Sequence, residues 1–191
     1  MEQPTNQYEE VRRQKLQKLR ELGVDPYGGR VEGIQSLAAI RALHQPAFGQ
    51  DGGPVVKAAG RIISYNDRGK LIFLRLRDSS GELQVAIDKR RVSERDWQII
   101  GLTDLSDQIV AEGKLGATKT GEVTIWATAV TPASKSLFPP PEKWHGLTDV
   151  ELRYRQRYVD LFTNPEVMRV LKLRSQVVAE VRNYLTKLGY I

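Results

Sequence analysis

Apolar and polar residues alternate along much of the chain between residues 55 and 131. A period of two is typical of β-strands that bury one face, because successive side chains point to opposite sides of a strand. Turn-forming sequences containing Gly interrupt the alternation at 66–69, 78–81 and 118–121. The pattern predicts five strands, at residues 55–64, 71–77, 82–88, 108–115 and 122–131.

A helical segment lies between the third and fourth predicted strands. Ser93 can cap this helix, and Trp97, Ile99 and Ile100 supply its packing residues over 93–102. Five strands with a helix in this place are typical of the OB-fold, a five-stranded Greek-key barrel. A generic small barrel or half-sandwich is the alternative. We therefore expect a mainly β protein with flanking helices.

The residues before the strands predict two helices. An apolar stripe of helical spacing over 6–22 follows Asn6, a candidate N-cap, and ends at Gly23, a fitting C-terminal stop. A second short helix is predicted over 33–44. The first helix either packs on a neighbouring element or contacts nucleic acid. Its stripe consists of Tyr8, Val11, Leu16, Leu19 and Leu22, and its other faces carry Arg12, Arg13, Lys15, Lys18 and Arg20.

After the fifth strand the character of the sequence changes. Three consecutive prolines predict a stiff linker over 132–146. Two helices are predicted beyond it, over 149–162 and over 164–189, the second with Asn164 as cap and Pro165 in its first position. The apolar stripe of the last helix lies so close to the chain end that we expect a cut through a larger domain. The predicted organisation is a helical extension (1–54), an OB-fold domain (55–133), a linker (134–163) and the start of a further domain (164–191).

Composition narrows the classes of function. Hydrophobic residues make up 40% and charged residues 27% of the 191 residues, as in a soluble globular protein. The absence of Cys excludes disulfide scaffolds and cysteine nucleophiles, and two His exclude a histidine-rich metal cage. The polar N-terminus is not a signal peptide, and no apolar run approaches the ~18 residues of a membrane span. We expect a cytoplasmic protein with no membrane partner.

No catalytic or metal-binding constellation is visible in the sequence. It contains no dinucleotide-binding glycine fingerprint, P-loop, nucleophile elbow or two-histidine zinc motif. Charge is more informative, because nine basic and four acidic residues between Lys57 and Arg91 give +5 of the net +6. Such a cluster is either a solvated surface or the electrostatic footprint of a phosphate backbone.

The second strand carries an aromatic residue on its outer face. Alternation sends its aliphatic residues to the core and leaves Phe73 outward, and it leaves Gln84 and Ala86 outward in the third strand and Arg61 in the first. A ring beside a carboxamide and a guanidinium fits single-stranded nucleic acid. The ring stacks on a base, for roughly 1–3 kcal/mol, while the polar groups read base edges and neutralise phosphate. The alternative is that Phe73 packs under the N-terminal helix. The core-facing residues are Ile72, Leu74, Leu76, Leu83, Val85 and Ile87, and Arg75 and Arg77 face outward with Phe73.

Longer motifs point to a known family. They are VKAAGRI (56–62), GKLIFLRLRD (69–78), GELQVAID (81–88), EGKL with TKTGEVTI (112–125), LFPPPEKWHGLTDVELRYRQRYVDL (137–161) and NPEV (164–167). Together these segments resemble bacterial lysine–tRNA ligases, which are class II aminoacyl-tRNA synthetases. The resemblance extends from about residue 8 to residue 191, and its most specific parts are TKTGE and the run beginning KWHGL.

The resemblance implies an N-terminal anticodon-binding domain that recognises the anticodon loop of tRNA(Lys). It implies that Phe73 stacks on the central anticodon base, that Arg61 and Gln84 read the uridine-rich triplet, and that Glu122 approaches the wobble base. Weaker contacts with the RNA backbone are expected from Arg75, Arg77 and Lys119.

The resemblance also implies a larger enzyme. Such an enzyme forms lysyl-adenylate from lysine and ATP with Mg²⁺, esterifies the tRNA and is a homodimer. The last helix resembles the beginning of the dimerisation element, and the motifs that bind ATP and lysine belong further on. We therefore expect these 191 residues alone to need no cofactor and to be inactive in aminoacylation. A freestanding OB-fold module for RNA or single-stranded nucleic acid is the alternative.

Overall fold

Five strands close into a barrel in the computed structural model, which describes residues 7–139, 147 and 149–190. The strand order around the barrel is β1-β2-β3-β5-β4, and neighbours are antiparallel except for the parallel pair β3–β5. This arrangement confirms the predicted OB-fold. The strands are β1 (Val55–Asp67), β2 (Leu71–Arg77), β3 (Glu82–Asp88), β4 (Gln108–Ala117) and β5 (Val123–Ser134).

Six α-helices and one short 3₁₀ turn complete the described part of the chain. Ser93 caps the helix between β3 and β4, as predicted, because its hydroxyl accepts from the backbone N–H of Asp96 at 3.0 Å. The first helix begins close to Asn6, which lies outside the described residues. The helices are α1 (Gln7–Glu21), α2 (Leu37–Leu43), α3 (Glu94–Gly101), α4 (Val150–Arg155), α5 (Arg157–Thr163) and α6 (Pro165–Lys187), and the 3₁₀ turn spans Pro46–Phe48.

The barrel core is built from the inward positions of the strands. Every core residue predicted for β2 and β3 is at most 2% exposed, which confirms the inside–outside alternation of both strands. Ala86 points to the outer face, as predicted, but it is fully buried there, because its register neighbours Phe73 and Trp126 are large aromatic residues.

Helix α1 buries a different stripe from the one that its sequence predicts. Leu16 and Leu19 are buried, but Tyr8 and Val11 are exposed and Arg12 is buried in their place. The guanidinium of Arg12 donates to three backbone carbonyls, those of Leu105, Ser136 and Phe138, at 3.0–3.2 Å. A buried guanidinium is tolerated when its N–H groups are satisfied, so Arg12, which the sequence pattern placed outside the apolar stripe, belongs to the buried face of the helix.

The chain divides into two compact units, Met1–Pro139 and Pro140–Ile191. In the second unit the single helix predicted over 149–162 is two helices, because the backbone leaves the helical region at Gln156. Asp160 is 1% exposed and is paired with Arg153 and Arg157 from the two sides of this break. None of the described α6 side chains is buried. No helix within the described residues is both long and apolar enough for a membrane span.

Acid is expected to destabilise the fold. Desolvation by burial would raise the pKa of Asp78, but hydrogen bonds from Ser80 and from backbone N–H groups outweigh it and hold this pKa below its usual range. The hydrogen bond from Arg90 lowers the pKa of Asp88 in the same way. A carboxyl with a lowered folded pKa stabilises the protein above its unfolded pKa of about 4, and this contribution is lost as the pH falls through the folded pKa. We expect the free energy of unfolding in urea to fall between pH 5 and pH 3. A constant value over this interval would contradict the assignment.

Candidate nucleic-acid interface

The strand register aligns one row of side chains across the outer face of the barrel. Phe73 of β2 pairs with Asn66 of β1 and with Ala86 of β3, which in turn pairs with Trp126 of β5. Residues paired across strands share a face of the sheet. The outer face therefore carries two aromatic residues in one row, separated by the small side chain of Ala86, with a carboxamide beside Phe73.

A second row lies beside the first on the same face. Gln84 pairs with Arg75 and with Thr124, and its amide Nε2 donates to the Thr124 hydroxyl at 3.1 Å. The same hydroxyl donates to the backbone carbonyl of Glu122 at 2.9 Å. This chain of two hydrogen bonds fixes the Gln84 carboxamide two residue pairs along the β2–β3 ladder from Phe73, on the same face.

A pocket of about 550 Å³ opens between these rows and the neighbouring turns. Its floor contains Phe73, Gln84 and Trp126, and its rim carries the cations Arg68 and Lys119 from two different turns. Phe73 is half-buried, so the structure places this ring on the surface of the barrel and outside its core. The complete lining is Gln50, Asn66, Arg68, Leu71, Phe73, Gln84, Thr118, Lys119, Thr120 and Trp126.

The loop before β1 forms one wall of the pocket. It packs closely on β4 because Gly116 has no side chain: a Cβ there would lie 1.9 Å from the carbonyl oxygen of Gln50. Asp51 of this loop pairs with Arg91 at 2.6 Å, and the Arg91 guanidinium lies 5.4 Å from the centre of the Trp126 ring. The wall is thus anchored both to β4 and to the turn after β3.

Arg61 lies on the predicted face but away from Phe73. It pairs with Arg77, four residues beyond Phe73 on β2, which corresponds to roughly 13 Å along a strand. Its guanidinium donates to the carbonyl of Ser106 at 2.8 Å. Desolvation by burial lowers the pKa of Arg61, although the negative charge of Asp107 acts in the opposite direction. Arg61 does not line the pocket. Asn66 occupies the position beside Phe73 that strand alternation predicted for Arg61.

The two outward arginines of β2 are each paired with a glutamate on the barrel surface, Arg75 with Glu122 and Arg77 with Glu82. The Glu122 carboxylate lies 3.3 Å from Arg75 and 3.8 Å from Arg41 of α2, and Arg77 forms a hydrogen bond of 2.8 Å with Glu82. These contacts neutralise much of the charge that both arginines would offer to a phosphate. Lys119, in the turn before Glu122, lines the pocket as an exposed cation.

Seven residues of the pocket were not among the predicted site residues: Gln50, Asn66, Arg68, Leu71, Thr118, Thr120 and Trp126. Trp126 was within reach of the alternation argument, because its neighbours Ile125 and Ala127 face the core. Asn66 reaches the first row through a register shift between Ile62 and Ser64 in β1, and Gln50 lies on a loop before the barrel. Neither of these two placements has a local sequence signal. Among the described residues no group of three acidic or histidine side chains could hold a metal ion.

Comparison with known proteins identifies two domain families in the chain. Residues 56–133 match the OB-fold nucleic acid binding domain, and residues 149–191 match the class II tRNA synthetases of the D, K and N type. The first match covers the barrel and confirms the fold. The second match lies in the second structural unit.

Whole-chain relatives are lysine–tRNA ligases. That of Pelotomaculum thermopropionicum is 41% identical over 190 residues, which is 100% of this chain and 37% of the relative. Those of Carboxydothermus hydrogenoformans and Streptococcus suis are each 40% identical over 189 residues, covering 99% and 97% of this chain and 38% of each relative. The chain therefore spans somewhat over a third of the length of the curated relatives that it matches.

Proposed function

We propose that this chain, an OB-fold protein similar along its whole length to lysine–tRNA ligases, recognises the anticodon loop of tRNA(Lys). The observation that carries the proposal is the pocket on the outer face of the barrel, in which the half-buried ring of Phe73 lies between two carboxamides, those of Asn66 and Gln84. An aromatic platform with amide groups at its edge is suited to an unpaired base.

Each residue of the pocket has a distinct part in the proposal. Phe73 stacks on the central anticodon base, and Asn66 and Gln84 hydrogen-bond to its edge, since a carboxamide both donates and accepts. The exposed cations Arg68 and Lys119 on the pocket rim approach the flanking phosphates. In this proposal Asn66, which adjoins the ring, reads the base edge, a role that the sequence pattern predicted for Arg61.

Glu122 keeps its proposed part at the wobble base. Its carboxylate is paired with Arg75, and its backbone N–H donates to the Thr118 hydroxyl in the turn that forms the pocket rim. We propose that Arg75 and Arg77 hold the carboxylates of Glu122 and Glu82 in position. Their positive charge also attracts the RNA phosphates at long range.

The activity of the larger protein is also part of the proposal. A lysine–tRNA ligase joins lysine to tRNA(Lys) through a lysyl-adenylate, using ATP and Mg²⁺, and we propose that the present chain contributes anticodon recognition to such an enzyme. Homodimer formation and a cytoplasmic location belong to the same proposal.

A binding comparison between two anticodon stem-loops tests this function. The 191-residue protein is titrated at one salt concentration with the stem-loop of tRNA(Lys) and with the same stem-loop carrying cytidine in place of the central anticodon uridine. We expect at least tenfold tighter binding of the lysine stem-loop, because the wrong base forfeits two carboxamide hydrogen bonds of about 0.5–1.5 kcal/mol each. Equal affinities for both stem-loops and for unstructured single strands would favour the freestanding nucleic-acid module instead.

A further inference from the structure

One polar atom beside the pocket has no partner. Within the described part of the chain, the buried side-chain nitrogens that lack a hydrogen bond are Nε2 of His44 and Nε1 of Trp126. Only Trp126 lines the pocket, and it is 6% exposed. An unsatisfied buried donor costs stability comparable to a lost hydrogen bond, so its presence in a binding pocket calls for an explanation.

The indole of Trp126 is held in place from two sides. Arg91 lies over the ring and is itself fixed by the carboxylate of Asp51, while Ala86 adjoins the ring within the sheet. Neither contact supplies an acceptor to the indole N–H. Trp126 therefore lines the pocket while the hydrogen-bonding capacity of its nitrogen is unused.

The two aromatic residues lie on the same outer face of the sheet, on either side of Ala86. Phe73 and Trp126 occupy the same row two strands apart, which corresponds to roughly 10 Å between their backbones. A pyrimidine stacked on Phe73 extends over Ala86 toward Trp126. The exocyclic carbonyl oxygens of uracil are hydrogen-bond acceptors, and the indole N–H is a donor. In the free protein the N–H of Trp126 has no such acceptor.

We propose that Trp126 is a specificity-determining residue for the base that stacks on Phe73, with its indole N–H donating to a carbonyl oxygen of that base. Because the nitrogen is shielded in the free protein, binding includes a small side-chain adjustment of the pocket floor, of the kind common at interfaces. The inference rests on the proposed anticodon-binding function and deepens it by adding a donor for a uracil carbonyl.

The test compares Trp126→Phe with the matched variant Trp97→Phe. Phenylalanine keeps an aromatic ring under Arg91 and removes only the N–H and part of the ring. Trp97 is likewise a tryptophan beneath a cation, with Lys89 at 5.8 Å from its ring centre, but it is only partly buried and does not line the pocket. Both variants are titrated with the lysine stem-loop and with the same RNA carrying an abasic nucleotide at the central anticodon position.

We expect Trp126→Phe to weaken binding of the uridine-containing RNA by about three- to tenfold, the effect of one neutral hydrogen bond. Its affinity for the abasic RNA should equal that of the unmodified protein, and Trp97→Phe should change neither affinity. In urea Trp126→Phe should cost no more stability than Trp97→Phe, because it removes an unsatisfied donor. An unchanged affinity for the uridine RNA, or an equal loss with both RNAs, overturns the inference.

The outcome is distinguishable from failure of the function itself. If the unmodified protein does not prefer the lysine stem-loop, or if Phe73→Ala binds it as well as the unmodified protein does, the anticodon-binding function fails. If that preference and the Phe73 effect are present while Trp126→Phe is without effect, only the part given to Trp126 is wrong.

Discussion

Replacement of Lys135 by methionine is expected to lower the free energy of unfolding by about 3–5 kcal/mol, the usual cost of removing one partner from a buried ion pair. The Lys135 ammonium lies 2.5 Å from Asp104 and 2.7 Å from Asp107, and its side chain is 1% exposed. Methionine keeps most of the aliphatic stem, so the loss comes from two carboxylates left without their shared cation. Urea unfolding at pH 7 measures it.

The pH dependence of this loss identifies its cause. Desolvation by burial raises the pKa of Asp107 even in the presence of Lys135, and removal of the cation raises it further. A carboxyl with a raised folded pKa loses stability as the pH rises through that pKa. The deficit of Lys135→Met should therefore be smallest near pH 4 and should grow toward pH 7.

Lys15 provides the matched control for Lys135. It pairs with the same Asp104 at 2.6 Å, but its side chain is 26% exposed and comes from α1. A solvent-accessible pair contributes about 0–1 kcal/mol, so Lys15→Met should cost much less than Lys135→Met. Similar losses in the two variants would show that burial of the ammonium does not govern the stability of this cluster.

Phe73→Ala is expected to weaken binding of the lysine anticodon stem-loop by about 1–3 kcal/mol, or roughly five- to 150-fold, while the melting temperature stays nearly unchanged. The ring contributes stacking area to the pocket, whereas the core of β2 is made by the adjacent Ile72 and Leu74 on the opposite face. Fluorescence titration with the labelled stem-loop measures the first effect, and thermal unfolding followed by circular dichroism measures the second.

Phe138 is the control for the loss of an exposed ring. It is 64% exposed and lies outside the pocket, so Phe138→Ala should leave RNA affinity unchanged. The backbone carbonyl that accepts from Arg12 is retained in this variant. A large drop in melting temperature for Phe73→Ala with unchanged RNA affinity would assign Phe73 to the core and remove the stacking platform from the proposal.

The barrel strands were predictable because their pattern is local. In β2 every second residue is aliphatic, and a strand that buries one face must place those residues inside. The predicted and observed bounds of β2 and β3 agree to the residue. At the end of β1 the prediction stopped three residues early, because a register shift after Ile62 interrupts the alternation while the strand continues to Asp67.

The composition of the candidate site was only partly predictable. Alternation identified Phe73 and Gln84, both of which line the pocket. It also selected Arg61, which lies on the right face in the wrong row, since alternation specifies the face of a residue and says nothing of its position along the neighbouring strand. Pairing between strands decides that position, and it places Asn66 beside Phe73.

Buried charges were beyond the reach of sequence patterns. Lys135 follows the end of β5, and lysine is a residue type that usually lies on the surface. It is nevertheless buried between Asp104 and Asp107. Arg12 is likewise buried against three carbonyls that lie more than ninety residues away in the chain. Burial of a cation depends on partners that only chain folding brings together.

The sequence by itself determined the five strands, the capped helix between the third and fourth, and the outward direction of the Phe73 ring, because each of these follows from neighbours a few residues apart. Only the tertiary structure decided which side chains share the pocket with that ring, and that Trp126 brings an unpaired donor to it. Strand register, loop packing against Gly116 and the burial of charge are long-range properties, and their energies arise from contacts that have no counterpart in the linear pattern.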